Sequence, residues 1–484
     1  MWWKVEEVAR ALGCAVSPGL DPVARLAGVS IDSRTVGRGQ LFVAIRGPRF
    51  DGHAFVAAAL DAGALAAIVA NDRLAGYPPQ IRGKLFGVPD TLAALQELAR
   101  AVRRSWSRRI AAVTGSVGKT TTKEILAALL GAKFRVLKSE GNLNNEYGLP
   151  LTLLRLDPAD EAAVIELGMS HGGELRRLAE IAEPEVGIVT RVAPVHLEFF
   201  ESVDEIALAK RELIEGLSGN DPVAVLNADD PRVARFADVA RGRVLTFGID
   251  SPAAQYRAEK IEERGAAGSL FDFVFPGGRA RLSLPLPGRH SIEDALAALA
   301  AASVWGLGAA EAATVFPQLL PGEMRGRLLR FEVGFAVIND SYNSNPVALQ
   351  AMIELLAQTP GYSRRILAAG EMLELGPQSA QLHRESGRQA AAAKKIDWVF
   401  GVQGQASKIV GGAVEAGLSA SHARFFPNSA DAAAFLAEML QPGDLLLVKG
   451  SRGVKMERIV EALREQYAPA GDLQAGPAAQ QGRG

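Results

Sequence analysis

The chain has 484 residues, 48% of them hydrophobic and 22% charged, which excludes a disordered protein and predicts about three domains. A formal net charge of −1 argues against nucleic acid or an anionic membrane as the main partner. Cys14 is the single cysteine, so no internal disulfide can form and a reducing compartment is expected. The start, Met1-Trp2-Trp3-Lys4-Val5-Glu6-Glu7, carries acids where a signal peptide needs a basic and then an apolar run. No apolar run is long enough to cross a bilayer. The expectation is a cytoplasmic monomer without membrane insertion.

In chain order, the spacing predicts a helix over Val5 to Leu12 and strands within Gly28 to Arg34 and Gln40 to Ile45. A polar tip with Asp51-Gly52-His53 follows, then a helix from Ala54 to Ala62 and a strand from Ala66 to Ala70. Asp32-Ser33-Arg34 and Asp51-Gly52-His53 lie at element ends, where polar groups can converge on a ligand; turn chemistry explains each as well. Thr91 to Trp106 reads as a helix leading into a second domain.

That domain opens with an apolar run, Ile110 to Val113, and then Thr114-Gly115-Ser116-Val117-Gly118-Lys119-Thr120-Thr121. A glycine-rich turn between a strand and a helix N-terminus aims backbone N–H groups and the positive end of the helix dipole at one point, which suits a phosphate chain. Lys119 can reach terminal phosphates and the Thr120 hydroxyl can bind Mg²⁺. The usual Walker A spacing fails, because its first glycine position is Val113. Strand and helix patterns then alternate, which predicts a doubly wound, mostly parallel sheet with ligands at the carboxyl ends of its strands. Strands at Ala162 to Ile165, Val186 to Thr190 and Val223 to Leu226 lead to Glu166, to His196 and to Asn227-Ala228-Asp229-Asp230. Phosphate, a carboxylate and an imidazole on one rim suit Mg²⁺. Glu166 also fits a solvated strand end, His196 a surface histidine, and Asn227 to Asp230 a helix cap.

Lys210 lies in a helical stretch, Asp204 to Leu217, with Ile206, Ala207, Leu213 and Ile214 on its own face. It either snorkels or is desolvated with a lowered pKa. A hairpin is predicted at Phe271 to Leu284 and a helix after Pro287-Gly288-Arg289-His290. A third domain repeats the doubly wound pattern, with apolar runs at Phe335 to Ile338, Arg365 to Ala369, Trp398 to Val402 and Leu445 to Val448. The fold class is α/β: a small N-terminal α/β domain (1–88), a central doubly wound P-loop ATPase-like sheet (89–318), a C-terminal Rossmann-like domain (319–466) and a disordered tail (467–484).

Taken together, these motifs resemble the Mur ligase family over essentially the whole chain except the tail. The resemblance rests on Asp32-Ser33-Arg34, Asp51-Gly52-His53, the short phosphate loop, Gly141-Asn142-Leu143-Asn144-Asn145-Glu146-Tyr147-Gly148 and Glu166-Leu167-Gly168-Met169. It continues through His196-Leu197-Glu198, Ala209-Lys210, Gly326-Arg327-Leu328, Asp340-Ser341-Tyr342-Asn343-Ser344-Asn345-Pro346, Met372-Leu373-Glu374-Leu375-Gly376 and Lys449-Gly450-Ser451-Arg452-Gly453. Asp340-Ser341-Tyr342-Asn343 stands where tripeptide-forming members carry Asp-Tyr-Ala-His, which points to the step joining D-alanyl-D-alanine to UDP-N-acetylmuramoyl-tripeptide. The alternatives are the tripeptide-forming or folylpolyglutamate-forming branches, and, outside enzymes, a P-loop switch.

The resemblance implies an ATP-dependent ligase working through an acyl phosphate. It implies that Gly115, Ser116, Val117, Gly118, Lys119, Thr120 and Thr121 cradle ATP. It further implies that Thr120 and Glu166 hold one Mg²⁺, and that His196 and a carbamylated Lys210 serve a second. Arg327 would add charge at the phosphates, and Asp340 would orient the third domain or the amine. Ser33, Arg34, Asp51, Gly52 and His53 would take the uridine diphosphate. Asn142, Asn144 and Asn145 would line the tripeptide path, and Tyr342, Asn343 and Asn345 the dipeptide side. Two positions depart from the family: Ser291 and Asp294 replace asparagines that read adenine, which predicts looser discrimination between ATP and other triphosphates, because a carboxylate only accepts.

Overall fold

The computed structural model describes residues 3–470 except 48, 49 and 196. It comprises two compact units, Met1–Val192 with Ala207–Arg257 and Asp294–Glu311, and Ala193–Ile206 with Ala258–Glu293 and Ala312–Gly484.

The first unit begins with a four-stranded parallel sheet, Val29–Ser30, Leu41–Val43, Ala66–Ala70 and Leu85–Val88 in spatial order. The predicted strands at Gly28 to Arg34 and Gln40 to Ile45 shrink to these short cores because turns close on both sides, as where the Asp32 carboxylate accepts the Arg34 N–H. Phe42, Val56, Val69 and Leu85 form the core beneath the sheet. Asp90 caps the helix Thr91–Trp106 by accepting from the N–H groups of Leu92 and Ala93.

The same unit then builds a parallel sheet in the order Val136–Lys138, Ala162–Glu166, Ile110–Thr114, Val186–Val189, Val223–Asn227, Arg243–Gly248. Every residue of Ile110–Thr114, Ala162–Glu166, Val186–Val189 and Val223–Asn227 is buried, as a parallel sheet covered on both faces requires. The chain leaves Ile110–Thr114 for one side of the sheet and later returns to its other side. The strand order therefore reverses at the phosphate loop, where such sheets place ligands. Asn227 to Asp230 are structural: Asp230 caps the helix Pro231–Ala234 and also accepts the Val192 N–H, and Asn227 donates to Thr190 O.

The second unit holds the hairpin Ser269–Phe275 and Gly278–Leu284. Its sheet runs Arg327–Arg330, Ala336–Asp340, Asp444–Lys449, Arg364–Gly370, Trp398–Val402, Ala423–Phe426. Only the first pair is antiparallel. Cores on both faces centre on Phe335, Phe400 and Leu446, and on Ile338, Leu367 and Leu447. Residues assigned by composition to the tail start are held: Ala468 O accepts from Glu332 and the Ala470 N–H donates to Arg330 O. Residues 471–484 lie outside the described residues. Among the described residues no helix is long and apolar enough to cross a membrane.

Candidate active site

The loop after Ile110–Thr114 is clamped from the neighbouring strand end. The Ser116 N–H donates to Arg191 O at 2.7 Å, and the Thr190 hydroxyl donates to Val117 O at 2.5 Å. Gly115 admits no side chain, since a Cβ there would lie 1.9 Å from the Thr190 Oγ1. Gly118 caps the helix Lys119–Gly131 with φ +85°, in the left-handed region that glycine tolerates best. Lys119 folds back over the loop and donates to Gly115 O at 2.8 Å.

Glu166, 4% exposed at its strand end, is the second element of this rim. Its Oε2 accepts from the Thr120 hydroxyl at 2.8 Å and its Oε1 from the Asn144 amide at 2.9 Å. The solvated strand end is therefore excluded. Lys123, which the sequence reading left in a helix without a role, is 1% exposed with its ammonium 4.0 Å from Glu166 Oε2. Lys123 donates to Ser139 O, and the Ser139 hydroxyl accepts the Glu166 N–H. Its apolar neighbours Leu126 and Ala127, three and four residues on, were the available signal.

Lys210 is 2% exposed in the helix Val203–Glu215, among buried Ile206, Ala207, Leu213 and Ile214. It does not snorkel. Burial, and then the positive charge of Lys119, hold its amine well below the usual lysine pKa. Among the described residues the amine has no hydrogen-bond or ion-pair partner. A buried neutral amine of this kind can add CO₂ and become an anionic oxygen ligand.

Asp294 is 5% exposed and lies against the phosphate loop, where a Cβ on Gly118 would meet its Oδ1 at 2.2 Å. Among the described residues no three His, Cys, Asp or Glu converge as a metal cage. The donors present, a hydroxyl and one carboxylate, fit a Mg²⁺ that takes its remaining oxygens from phosphates and water. His196 lies outside the described residues.

Elsewhere the predicted residues divide. His53 is spent internally: its Nδ1 meets Asp51 Oδ1 at 2.6 Å and its Nε2 accepts the Ala70 N–H at 2.9 Å. This corrects its expected contact with uridine diphosphate, because both ring nitrogens are occupied. Gly52 permits a close approach, since a Cβ would meet Ile45 N at 2.8 Å, and Asp51 caps that turn. Arg34, 86% exposed, forks onto Asp32, which it holds down to about 2; Ser33 is half-buried beside it. Asn142 is exposed, whereas the Asn145 Oδ1 is spent on the turn before the helix Gly148–Leu153, accepting the Tyr147 and Gly148 N–H groups.

In the second unit, strand register sets Asp340 beside Lys449, and the ammonium lies 2.5 Å from the carboxylate while also donating to Asn343 O. The Asn343 Oδ1 accepts the Ser344 N–H, and Asn345 caps the helix Pro346–Gln358. Arg327 begins the antiparallel edge strand, paired in register with Asn339. Tyr342 stacks beneath Arg325.

Three family models match the chain: the Mur ligase middle domain over 113–302, the Mur ligase glutamate ligase domain over 325–452 and the Mur ligase family catalytic domain over 25–103. The UDP-N-acetylmuramoyl-tripeptide–D-alanyl-D-alanine ligase of Bacillus subtilis is 35% identical over 90% of this chain and 93% of that protein. Its Escherichia coli counterpart is 37% identical over the same shares. Among solved structures, MurF of Acinetobacter baumannii superposes with a TM-score of 0.85 at 29% identity, covering 96% of this chain and 99% of that one. MurF of Thermotoga maritima in complex with ADP gives 0.78 at 30% identity, covering 91% and 97%. By its fold, its ordered motifs and these relatives, the chain belongs to the Mur ligase family.

Proposed function

We propose that this protein is an ATP-dependent ligase that joins D-alanyl-D-alanine to UDP-N-acetylmuramoyl-tripeptide, a step in building peptidoglycan precursor, as a cytoplasmic monomer. The observation that carries the reading is the Thr120–Glu166 contact of 2.8 Å on the rim of the phosphate loop, in the unit that also buries Lys210, whose amine has no partner among the described residues. A nucleotide switch has no need of the latter. The names of the bacterial relatives choose the substrates.

The tripeptide carboxylate oxygen attacks the γ-phosphorus of ATP, the bond to the β–γ bridging oxygen breaks, and ADP leaves with that electron pair. The dipeptide amine, having lost its proton, attacks the acyl carbon; the carbon–oxygen bond to phosphate breaks and inorganic phosphate departs. Gly115, Val117, Gly118 and Thr121 wrap the phosphates with backbone amides, Ser116 shapes the loop through its N–H bond to Arg191 O, and Lys119 swings from Gly115 O to the terminal phosphates. Thr120 and Glu166 would hold Mg²⁺, with Asn144 orienting the carboxylate. A carbamate on Lys210, with His196, would hold a second ion. Bound Mg²⁺ supplies positive charge, which lets two anions approach in a dry site. Arg327 adds charge at the phosphates and Asp340, fixed by Lys449, orients the acceptor side. Ser33, Arg34, Asp51 and Gly52 form the uridine diphosphate end, and the domains divide at 88 and 318.

The test is phosphate release with ATP, UDP-N-acetylmuramoyl-tripeptide and D-alanyl-D-alanine. Release that needs all three is expected. Release with a single amino acid acceptor in place of the dipeptide moves the protein to another branch of the family.

A further inference from the structure

The turn after Asp340 carries a feature that the phosphate chemistry does not use. The Arg325 guanidinium lies over the Tyr342 ring, 4.2 Å from its centroid, and the Arg452 guanidinium lies 6.0 Å from the same centroid. Arg452 has a counter-charge in Glu457 at 3.0 Å. Lys449 has one in Asp340 at 2.5 Å. Arg325 has no carboxylate partner among the described residues. The cluster thus holds three cations against two anions, with the uncompensated charge on a guanidinium flattened against an aromatic face. In the same turn the buried Ser344 hydroxyl has no hydrogen-bond partner among the described residues. The platform is braced from below, where the Tyr342 N–H donates to Met324 O and Ser451 donates to Ser344 O.

Like charges gathered on one ring lack a balancing anion, and a planar guanidinium fixed in orientation matches a carboxylate through two parallel hydrogen bonds. Stacking leaves the guanidinium edge free to donate while the ring removes its rotational freedom. An amino-acid or dipeptide acceptor carries one carboxylate that takes no part in amide formation. We propose that Arg325, held on Tyr342 and supported by Arg452, receives the terminal carboxylate of the dipeptide acceptor and so makes a free carboxylate a requirement for that substrate. The inference rests on the ligase reading above and adds a specificity-determining residue to it.

The experiment compares D-alanyl-D-alanine with D-alanyl-D-alaninamide as acceptors for the intact enzyme, at saturating ATP and tripeptide. The amide removes the charge and keeps the attacking amine. Wild type is expected to show a KM for the amide about 10- to 100-fold above that for the acid, the range for charge-assisted hydrogen bonds, with kcat changed far less. Arg325→Met is expected to raise KM for the acid by a similar factor and to leave KM for the amide near its wild-type value. Arg325→Lys should recover part of the loss. Equal use of acid and amide by wild type overturns the assignment without any variant. So does an Arg325→Met enzyme that loses both acceptors equally, or one whose affinity for ADP falls instead, which moves the arginine to the phosphates. Absence of dipeptide-dependent phosphate release in wild type overturns the ligase reading together with this one.

Discussion

Gly118→Ala isolates the contact between the phosphate loop and Asp294. At φ +85° an L-residue carries left-handed strain of about 1–2 kcal/mol. The new Cβ would also stand 2.2 Å from Asp294 Oδ1 and 3.1 Å from its Cγ. Asp294 is 5% exposed and cannot simply swing into water, so relieving that overlap costs about 1–3 kcal/mol more. The expected total is about 2–5 kcal/mol, split between lower stability and an opened loop. Asp294→Ala removes the obstructing oxygen and should leave the double variant with the left-handed strain alone. A double-mutant cycle read by urea unfolding and by calorimetric ADP affinity should therefore give a coupling of about 1–3 kcal/mol, with the second substitution recovering part of the loss caused by the first. Wild-type ADP affinity and stability in Gly118→Ala, or additive losses in the double variant, would refute the placement of Asp294 on the loop.

Lys210→Met should end phosphate release while leaving the unliganded protein as stable as wild type or more so, because it removes a buried amine that has no partner among the described residues. In Lys210→Ala, added short carboxylic acids should restore part of the turnover, and retained activity without them sinks the carbamate role. Asp294→Asn supplies an amide that both donates and accepts, so ATP should be preferred over other triphosphates more strongly; unchanged selectivity would confine residue 294 to supporting the loop. His53→Ala should lower stability by about 1–3 kcal/mol in urea unfolding, since it strands the Ala70 N–H, and a neutral result would count against the internal latch. Glu311 is held down to about 2 by hydrogen bonds from Lys133 and the Gly308 N–H. A carboxyl with a depressed folded pKa contributes stability above its unfolded value and loses it as pH falls toward 2. Because Lys133 is half-exposed, Glu311→Gln should cost only about 1 kcal/mol at pH 7 and nothing near pH 2. A difference that persists at low pH contradicts the pairing.

Periodicity and turn chemistry act over a few residues, and what they control was legible in the chain. The helices Val5–Leu12 and Thr91–Trp106 and the strands Ala66–Ala70 and Trp398–Val402 match their predicted bounds. Short edge strands such as Val136–Lys138 and Ala423–Phe426 escaped, because three or four residues hold too little alternation to register. The strand-end rule found Glu166, and helical spacing put Lys210 on the apolar face of its helix but left snorkelling open, which its burial closes. Partners were another matter. That Glu166 meets Thr120 and Asn144, that Lys123 supports it through Ser139, and that Asp294 rests on Gly118 depend on chain segments 16 to 176 residues apart. His53 looked free for a ligand until its two nitrogens were found bonded to Asp51 and Ala70. The sequence by itself determined which elements form and which residues stand at their ends. Only the tertiary structure decided which polar groups are already satisfied and which are left for a ligand, because strand register and helix packing pair atoms across distances that no local pattern encodes.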